Sequence, residues 1–380
     1  MTTTLELPLN QRRLTTDAAG VLDITPQGRG TLRGRADAPS ATDVQVPAEL
    51  IRRHGLRRGD MIEGACDRPR VLAEVARLNG RSPDALRGRP HFRDLTPLHP
   101  RRRLRLETPT GGPATRLVDL VAPIGKGQRG LVVAPPKAGK TVLLRQMAEA
   151  VAANHPECRL MVVLVDERPE EVTDMRRSVR GEVLASTFDR PAREHVALAD
   201  LAIERAKRLV EQGKDVVVLL DSLTRLCRAH NHAAAAGGRT LSGGVDAAAL
   251  TGPKRLFGAA RLAEEGGSLT ILATALVDTG SRADDYFFEE LKGTGNMELR
   301  LDRTLADRRV HPAVDIRASG TRREELLLPE AELRAVRRLR RALLARNDPR
   351  GALETLLHRL RRTPDNAAFL RTVHLTVPHA

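Results

Sequence analysis

Tryptophan is absent from this 380-residue chain, tyrosine occurs once and phenylalanine six times. Proteins that grip single-stranded nucleic acid usually stack bases on aromatic rings, so any such grip here must use other side chains. Cysteine is scarce as well: Cys66, Cys158 and Cys227 are scattered, odd in number and without zinc spacing. That excludes a disulfide framework and a zinc module, and fits a reducing compartment. No apolar run approaches the ~20 residues that span a bilayer. The start, Met1 to Pro8, lacks a charged-then-apolar signal pattern. A soluble, cytoplasmic protein with no membrane partner is expected.

Positive charge is abundant: 63 Lys and Arg stand against 48 Asp and Glu, a formal net charge of +15. Such a surface attracts polyanions, nucleic acid first. Arg heavily outnumbers Lys, so a generally Arg-rich composition without a specific partner accounts for the charge equally well. The hydrophobic fraction of 41% suffices for a real core.

The stretch Ala134-Pro-Pro-Lys-Ala-Gly-Lys-Thr141 carries the most information. It follows the apolar Leu131-Val132-Val133 and leads into Val142-Leu143-Leu144, the order strand, tight loop, helix. In that context it reads as a nucleotide phosphate cradle. Backbone N–H groups and the helix dipole would face the phosphates, Lys140 would reach the β- and γ-phosphates, and Thr141 would hold Mg²⁺. The first position is Ala134 rather than the Gly of the strict pattern.

Three regions are expected. Residues 1–20 read as a flexible arm. Residues 21–92 hold short strand-like runs with turns, including Val21–Ile24, Gln27–Arg33, Val44–Val46, Gly59–Gly64 and Val71–Val75, with a short helix over Pro47–Arg53. The count fits an oligonucleotide-binding, cold-shock-like β-barrel; an SH3-like barrel fits the same pattern. Asn79 to Pro113 is rich in Gly, Pro and Arg and reads as a linker or lead-in to the third region, residues 93–380. Buried-type strands (Leu160–Val165, Val216–Leu220, Leu269–Ala275) then alternate with helical stretches such as Ala192–Glu211. That alternation predicts an α/β domain with a parallel sheet. A basic helical tail is expected over Glu330–Arg362.

The strand ending in Asp221 places an acid beside the phosphate loop, as a Mg²⁺ ligand or as a helix N-cap. The strand ending in Asp166-Glu167 offers a carboxylate to orient the attacking water. Glu167 is the preferred candidate, with Asp166, Glu170 or a structural Glu–Arg pair as alternatives. Two Gly-rich segments, Ala236–Asp246 and Asp278–Asp284, carry the lone cations Arg239 and Arg282; they read as phosphate-gripping loops or as plain surface connections. Arg322, on a turn after Pro312–Ile316, is a weak arginine-finger candidate.

These stretches resemble the bacterial Rho transcription termination factors. The resemblance runs from Asp94–His99 through Pro123–Gly130, the phosphate loop, Asp166–Thr173, Ala185–Asp189, Leu220–Arg225, Gly244–Asp246, Phe257–Arg261, Glu264–Thr270 and Lys292–Leu299 to Ser319–Arg322. It implies a RecA-like P-loop ATPase domain behind the barrel, and a homohexamer that hydrolyses ATP with Mg²⁺. It further implies 5′ to 3′ movement on single-stranded RNA and dissociation of the RNA polymerase elongation complex, with Nus-type elongation factors as possible partners. Glu167, Lys140 and Arg322 take the catalytic positions. Pro136, Lys137, Ala138, Gly139, Lys140, Thr141 and Val142 take the ATP cradle, with Arg168, Asp221, Arg225, Arg309 and His311 around it. Thr141 and Asp221 take the Mg²⁺ positions. Arg239, Ser242, Gly243 and Arg282 fall on pore loops that grip RNA.

The departures lie in the barrel. Where the family strand reads Gly-Phe-Gly-Phe-Leu-Arg, this chain has Gly28-Arg29-Gly30-Thr31-Leu32-Arg33, and Gln45 replaces an expected tyrosine. RNA contact there must come from Arg29, Thr31, Arg33 and Gln45 without stacking rings. His311 stands where a Phe usually packs on adenine. Before the barrel, only the short arm is expected in place of the family's helical subdomain. Two rivals remain at this stage: another RecA-like ring such as a rotary synthase subunit, and a nucleotide-gated RNA-binding ring without translocation.

Overall fold

The structure, a computed structural model, describes residues 16–34, 40–234, 240–345 and 348–373. It divides into two compact units, Met1–Arg89 and Pro90–Ala380.

In the first unit, strands β1 (Thr16–Ile24), β2 (Gly30–Arg33), β3 (Val44–Val46), β4 (Met61–Arg68) and β5 (Val71–Leu78) close in the order β1-β2-β3-β5-β4. Helix α1 (Ala48–His54) follows β3. Period-two alternation sends Leu22, Leu32, Val46, Ile62, Leu72 and Leu78 inward, where all are buried. Residues 1–15 of the expected arm lie outside the described residues. The remainder is not an arm, because β1 starts at Thr16 and pairs with β4 from Thr16↔Cys66 onward. Ala18, Ala19 and Gly20 gave the sequence no hydrophobic alternation, although Ala18 is buried. The strand expected from Gln27 begins at Gly30; the preceding residues make a turn in which Gly28 has φ +80°.

In the second unit, the order is α2 (Pro113–Val121), β6 (Arg129–Ala134), α3 (Lys140–Asn154), β7 (Arg159–Glu167), α4 (Pro169–Ser178), β8 (Glu182–Thr187) and α5 (Ala192–Val210). There follow β9 (Asp215–Asp221), α6 (Leu223–Ala233), α7 (Thr251–Phe257), β10 (Ser268–Leu276), α8 (Arg282–Lys292), β11 (Met297–Leu301) and β12 (Val314–Thr321). The sheet runs β8-β7-β9-β10-β6-β11-β12. The first six of these strands are parallel and β12 is antiparallel at the edge. Helices cover both faces, so β7 and β9 read as continuous apolar runs rather than alternating ones. The expected helical tail is made of α9 (Glu330–Leu344) and α10 (Pro349–Arg361), and α11 (Asn366–Thr372) follows it. Pro349 opens α10, a position that needs no N–H. The tips of β6, β7, β9 and β10 point to the same edge of the sheet, where ligands bind in open parallel sheets.

One buried charge fastens the barrel. Asp60 is fully buried and accepts hydrogen bonds from Arg57 N at 2.6 Å, Asn79 Nδ2 at 2.7 Å and both terminal nitrogens of Arg89, at 2.7 and 2.5 Å. Asp60→Ala removes the buried carboxylate that takes both terminal nitrogens of Arg89. The expected loss is about 3–5 kcal/mol of barrel stability, to be read by chemical denaturation of the full chain. A loss under about 1 kcal/mol would show that the pair is not needed.

Candidate nucleotide site and RNA-facing loops

The phosphate loop leaves β6 at the buried Ala134. Pro136 and Lys137 are exposed, Lys137 has φ +66°, and Ala138 is buried. Gly139 caps α3 with φ +91° and no side-chain hydrogen bond. The first N–H groups of α3 therefore lack a side-chain partner and suit an anion. Lys140 and Thr141 lie half-buried in the first turn, while Val142 is 51% exposed. A Cβ placed on Gly139 would come within 3.7 Å of His311 Nδ1, so His311 and the neighbouring, exposed Arg309 stand on this side of the sheet.

Lys140, Glu167 and Asp221 converge. Lys140 Nζ bonds Asp221 Oδ1 and lies 4.0 Å from Glu167 Oε2. Asp221 Oδ1 also accepts a 2.7 Å hydrogen bond from Thr274 Oγ1 on β10. Glu167 Oε1 accepts from Arg168 N at 3.2 Å and faces Arg225 Nη1 at 3.4 Å. Its Oε2 is buried with no hydrogen-bond partner among the described residues. Burial pushes the Glu167 carboxyl above the ordinary glutamate value; the Asp221 charge adds to this, and Arg225 and Lys140 oppose it. Thr141 Oγ1 reaches Glu171 Oε2 at 3.5 Å. The exposed Arg168 side chain lies 4.0 Å from Glu171.

Local backbone explains the aim of the two acids. The β7–β8 register shifts between Val165 and Glu167, and Asp166 takes φ +57°. Such a bulge turns the next side chain into a new direction. Asp221 is not a helix cap: Ser222 fills that role, its Oγ accepting from Arg225 N at 3.1 Å.

Arg322 lies elsewhere. β12 runs through Thr321, and Arg322 opens the turn that follows it. Its N–H donates to Asn296 O, and the adjacent Met297 pairs with Gly130 at the start of β6. The phosphate loop leaves the other end of that strand, about 15–20 Å away at ~3.3 Å per residue. Arg322 joins Lys292, Glu298, Arg323, Arg337 and Arg340 in lining a polar cleft of about 430 Å³.

The two Gly-rich segments meet. Arg239 lies outside the described residues. Gly243 has φ +73°, and a Cβ there would sit 2.9 Å from Ala283 N, so this turn packs against the start of α8, where Arg282 is exposed. Ser242 stands in the same turn. Helix α6 holds both segments. Arg228 Nε bonds the fully buried Asp284 at 2.9 Å, and Thr279 Oγ1 bonds the same carboxylate at 2.6 Å. Asn231 Oδ1 accepts from Asp246 N at 2.7 Å. Sequence reasoning missed Thr274, Glu171, Arg228 and Asn231. The available signal was the three-residue spacing of Arg225, Arg228 and Asn231, which shares one helix face.

On the barrel, Arg29 is exposed beside its turn, Gln45 is exposed, and Thr31 pairs across strands with both Asp23 and Gln45. Arg33 is held by Asp23, which also takes Arg58 Nε at 2.8 Å.

Known proteins resemble both units. Residues 18–84 match the Rho termination factor RNA-binding domain family, and residues 114–321 match the ATP synthase alpha/beta family nucleotide-binding domain. A transcription termination factor Rho of Streptomyces coelicolor is 71% identical over 378 residues, covering all of this chain and 91% of that protein. One from Streptomyces lividans is 57% identical, and the chain spans only 54% of its length. A solved ATPase from a type III secretion system of pathogenic bacteria superposes with a TM-score of 0.64 at 22% identity, over 82% of this chain and 94% of that one, which marks a shared fold alone. No helix among the described residues is long and apolar enough to cross a membrane. The nucleotide-binding domain is common to rotary synthases and to this chain, but the RNA-binding domain and the near-full-length identity are not: the chain belongs to the transcription termination factor Rho family.

Proposed function

We infer that the chain is an RNA-dependent ATPase and helicase that terminates transcription, using Glu167 to orient the attacking water and Lys140 to stabilise charge on the phosphates. The family membership carries the activity. The buried Glu167 Oε2, which accepts no hydrogen bond among the described residues and lies 4.0 Å from Lys140 Nζ, carries the residue assignment. A buried carboxylate oxygen that accepts no hydrogen bond beside a phosphate cradle is available to accept one from water. Arg225 and the Arg168 N–H fix the other oxygen, so the side chain cannot rotate freely.

Thr141 and Asp221 offer hard oxygen donors, the kind Mg²⁺ takes; bound there, the ion would neutralise phosphate charge as the terminal phosphoryl group transfers. Lys140 already bonds Asp221, so the site holds a cation beside that acid by construction. Arg309 and His311 stand beside the phosphate loop, where they would border the nucleotide. Arg322 stands at the wrong end of β6 for its own phosphate loop, which supports a role in a neighbouring subunit's site. We take the assembly to be a homohexamer acting in the cytoplasm. Its RNA is held by the loops of Arg239, Ser242, Gly243 and Arg282, and it acts on the RNA polymerase elongation complex, with Nus-type factors as candidate partners. Arg228 and Asn231 join these loops to the helix that begins next to Asp221.

Replacing Glu167 by Gln is expected to lower RNA-stimulated ATP hydrolysis about 10²–10⁴-fold while ATP binding persists; normal turnover would refute the assignment. The same variant should be more stable than the parent. A carboxyl whose value is raised by folding costs stability above that value, and the cost fades as pH falls toward the ordinary glutamate value of about 4.3. E167Q without nucleotide should therefore melt higher at neutral pH and show no gain below about 4.3. An equal gain at both would contradict the buried-charge account.

Initial RNA capture should be salt-sensitive and tolerant of sequence. Stacking contributes roughly 1–3 kcal/mol per base, and the rings are missing. Arg29 remains exposed, whereas Arg33 is occupied by Asp23. In filter binding, poly-C and poly-A should compete within about tenfold with a steep salt slope. A strong poly-C preference with a shallow slope would sink this expectation.

A further inference from the structure

Arg322 is exposed, yet the backbone beneath it is fastened on both sides. Thr321 Oγ1 donates to Pro123 O at 2.7 Å. Ser319 O accepts Nη2 of Arg340 at 2.5 Å, and the other terminal nitrogen of Arg340 donates to Val121 O at 3.0 Å. Val121 ends α2, where carbonyls lack helical partners. A Cβ on Gly320 would lie 3.4 Å from Arg340 Nη2, so the guanidinium lies along the end of β12. Glu324 Oε2 faces it at 3.6 Å, and Arg337 Nε contacts the other oxygen of Glu324 at 3.4 Å. Arg337, Arg338 and Arg341 on the same helix are exposed; Arg340 alone of these four turns inward.

The opposite side is tied to β6. Arg322 N donates to Asn296 O, and Asn296 Oδ1 accepts from Gln128 Nε2 at 2.6 Å and from Arg129 N at 2.9 Å. Gln128 is buried, and Arg129 is the first residue of the strand that ends in the phosphate loop.

We propose that Arg340 is a positioning residue for Arg322: its planar fork bridges the carbonyls of Ser319 and Val121 and so locks the strand end that presents Arg322 to the neighbouring site. Asn296 completes the mount by fixing Arg322 N to the start of β6. A lysine at 340 has one ammonium and cannot reproduce the planar bidentate bridge. The inference rests on the reading that Arg322 serves a neighbouring site.

The test uses full-length, assembled protein with RNA and ATP. Small displacements of catalytic groups cost about 10²-fold, so Arg340→Gln is expected to lower kcat roughly 10- to 100-fold. ATP-analogue affinity, RNA affinity and assembly should stay within about twofold of the parent, and Arg340→Lys should fall between the two. The double variant R322A/R340Q should be no slower than R322A. Near-normal turnover by R322A would overturn the reading of Arg322, and the proposal with it. A slow R322A beside a normal R340Q, or losses that multiply in the double variant, would overturn the proposal alone. Should R340Q fail to assemble, R340K is compared with R322A in the same way: normal turnover, or multiplying losses, refutes the proposal.

Discussion

Two carboxylates and two cations share one buried cluster, and the arrangement works only as a set. Glu167 and Asp221 are both nearly inaccessible to water, and burying like charges together is costly unless cations answer them. Lys140 answers Asp221, and Arg225 answers Glu167. The four residues come from α3, β7, β9 and α6, which are remote in sequence and adjacent only because the parallel sheet aligns its strand tips. The sheet order is therefore an electrostatic requirement as much as a packing outcome. A strand out of place would strand a charge.

The same cluster ties the candidate nucleotide site to the two Gly-rich segments. Helix α6 begins beside Asp221, places Arg225 against Glu167, and continues to Arg228 and Asn231, which hold the two Gly-rich segments. These contacts are hydrogen bonds to a buried carboxylate and to backbone, so they specify position and not merely proximity. A segment rich in glycine has little side-chain packing of its own, and its geometry must be imposed by what it leans on.

Much of this was legible in the sequence because the signals are local. The phosphate loop lies within one strand–loop–helix stretch, and Asp221 follows a run of apolar residues that only a buried strand explains. The barrel was legible in outline from its alternation, except at Thr16–Gly20, where small residues conceal a strand that backbone pairing defines. Other features were illegible for a physical reason. Thr274 matters through a hydrogen bond across strands, and no pattern within β10 distinguishes it from other buried threonines. Arg33 looked available for RNA until Asp23 was found beside it. The position of Arg322 at the far end of β6 depends on register, which no linear spacing encodes. Asp221 as a cap was a fair alternative that the neighbouring serine removes.

Strand β6 has the phosphate loop at one end and the seat of Arg322 at the other. On the proposal that Arg322 serves a neighbouring subunit's site, a subunit with this polarity has a face that gives and a face that receives, and the two are unlike. Pairing about a twofold axis would set like against like and complete nothing. Head-to-tail association completes one site per contact. An open string of such subunits always keeps one site without its arginine and one arginine without a site. Only closure of the string makes every subunit equivalent, so the proposed role of Arg322 favours a circle over a dimer.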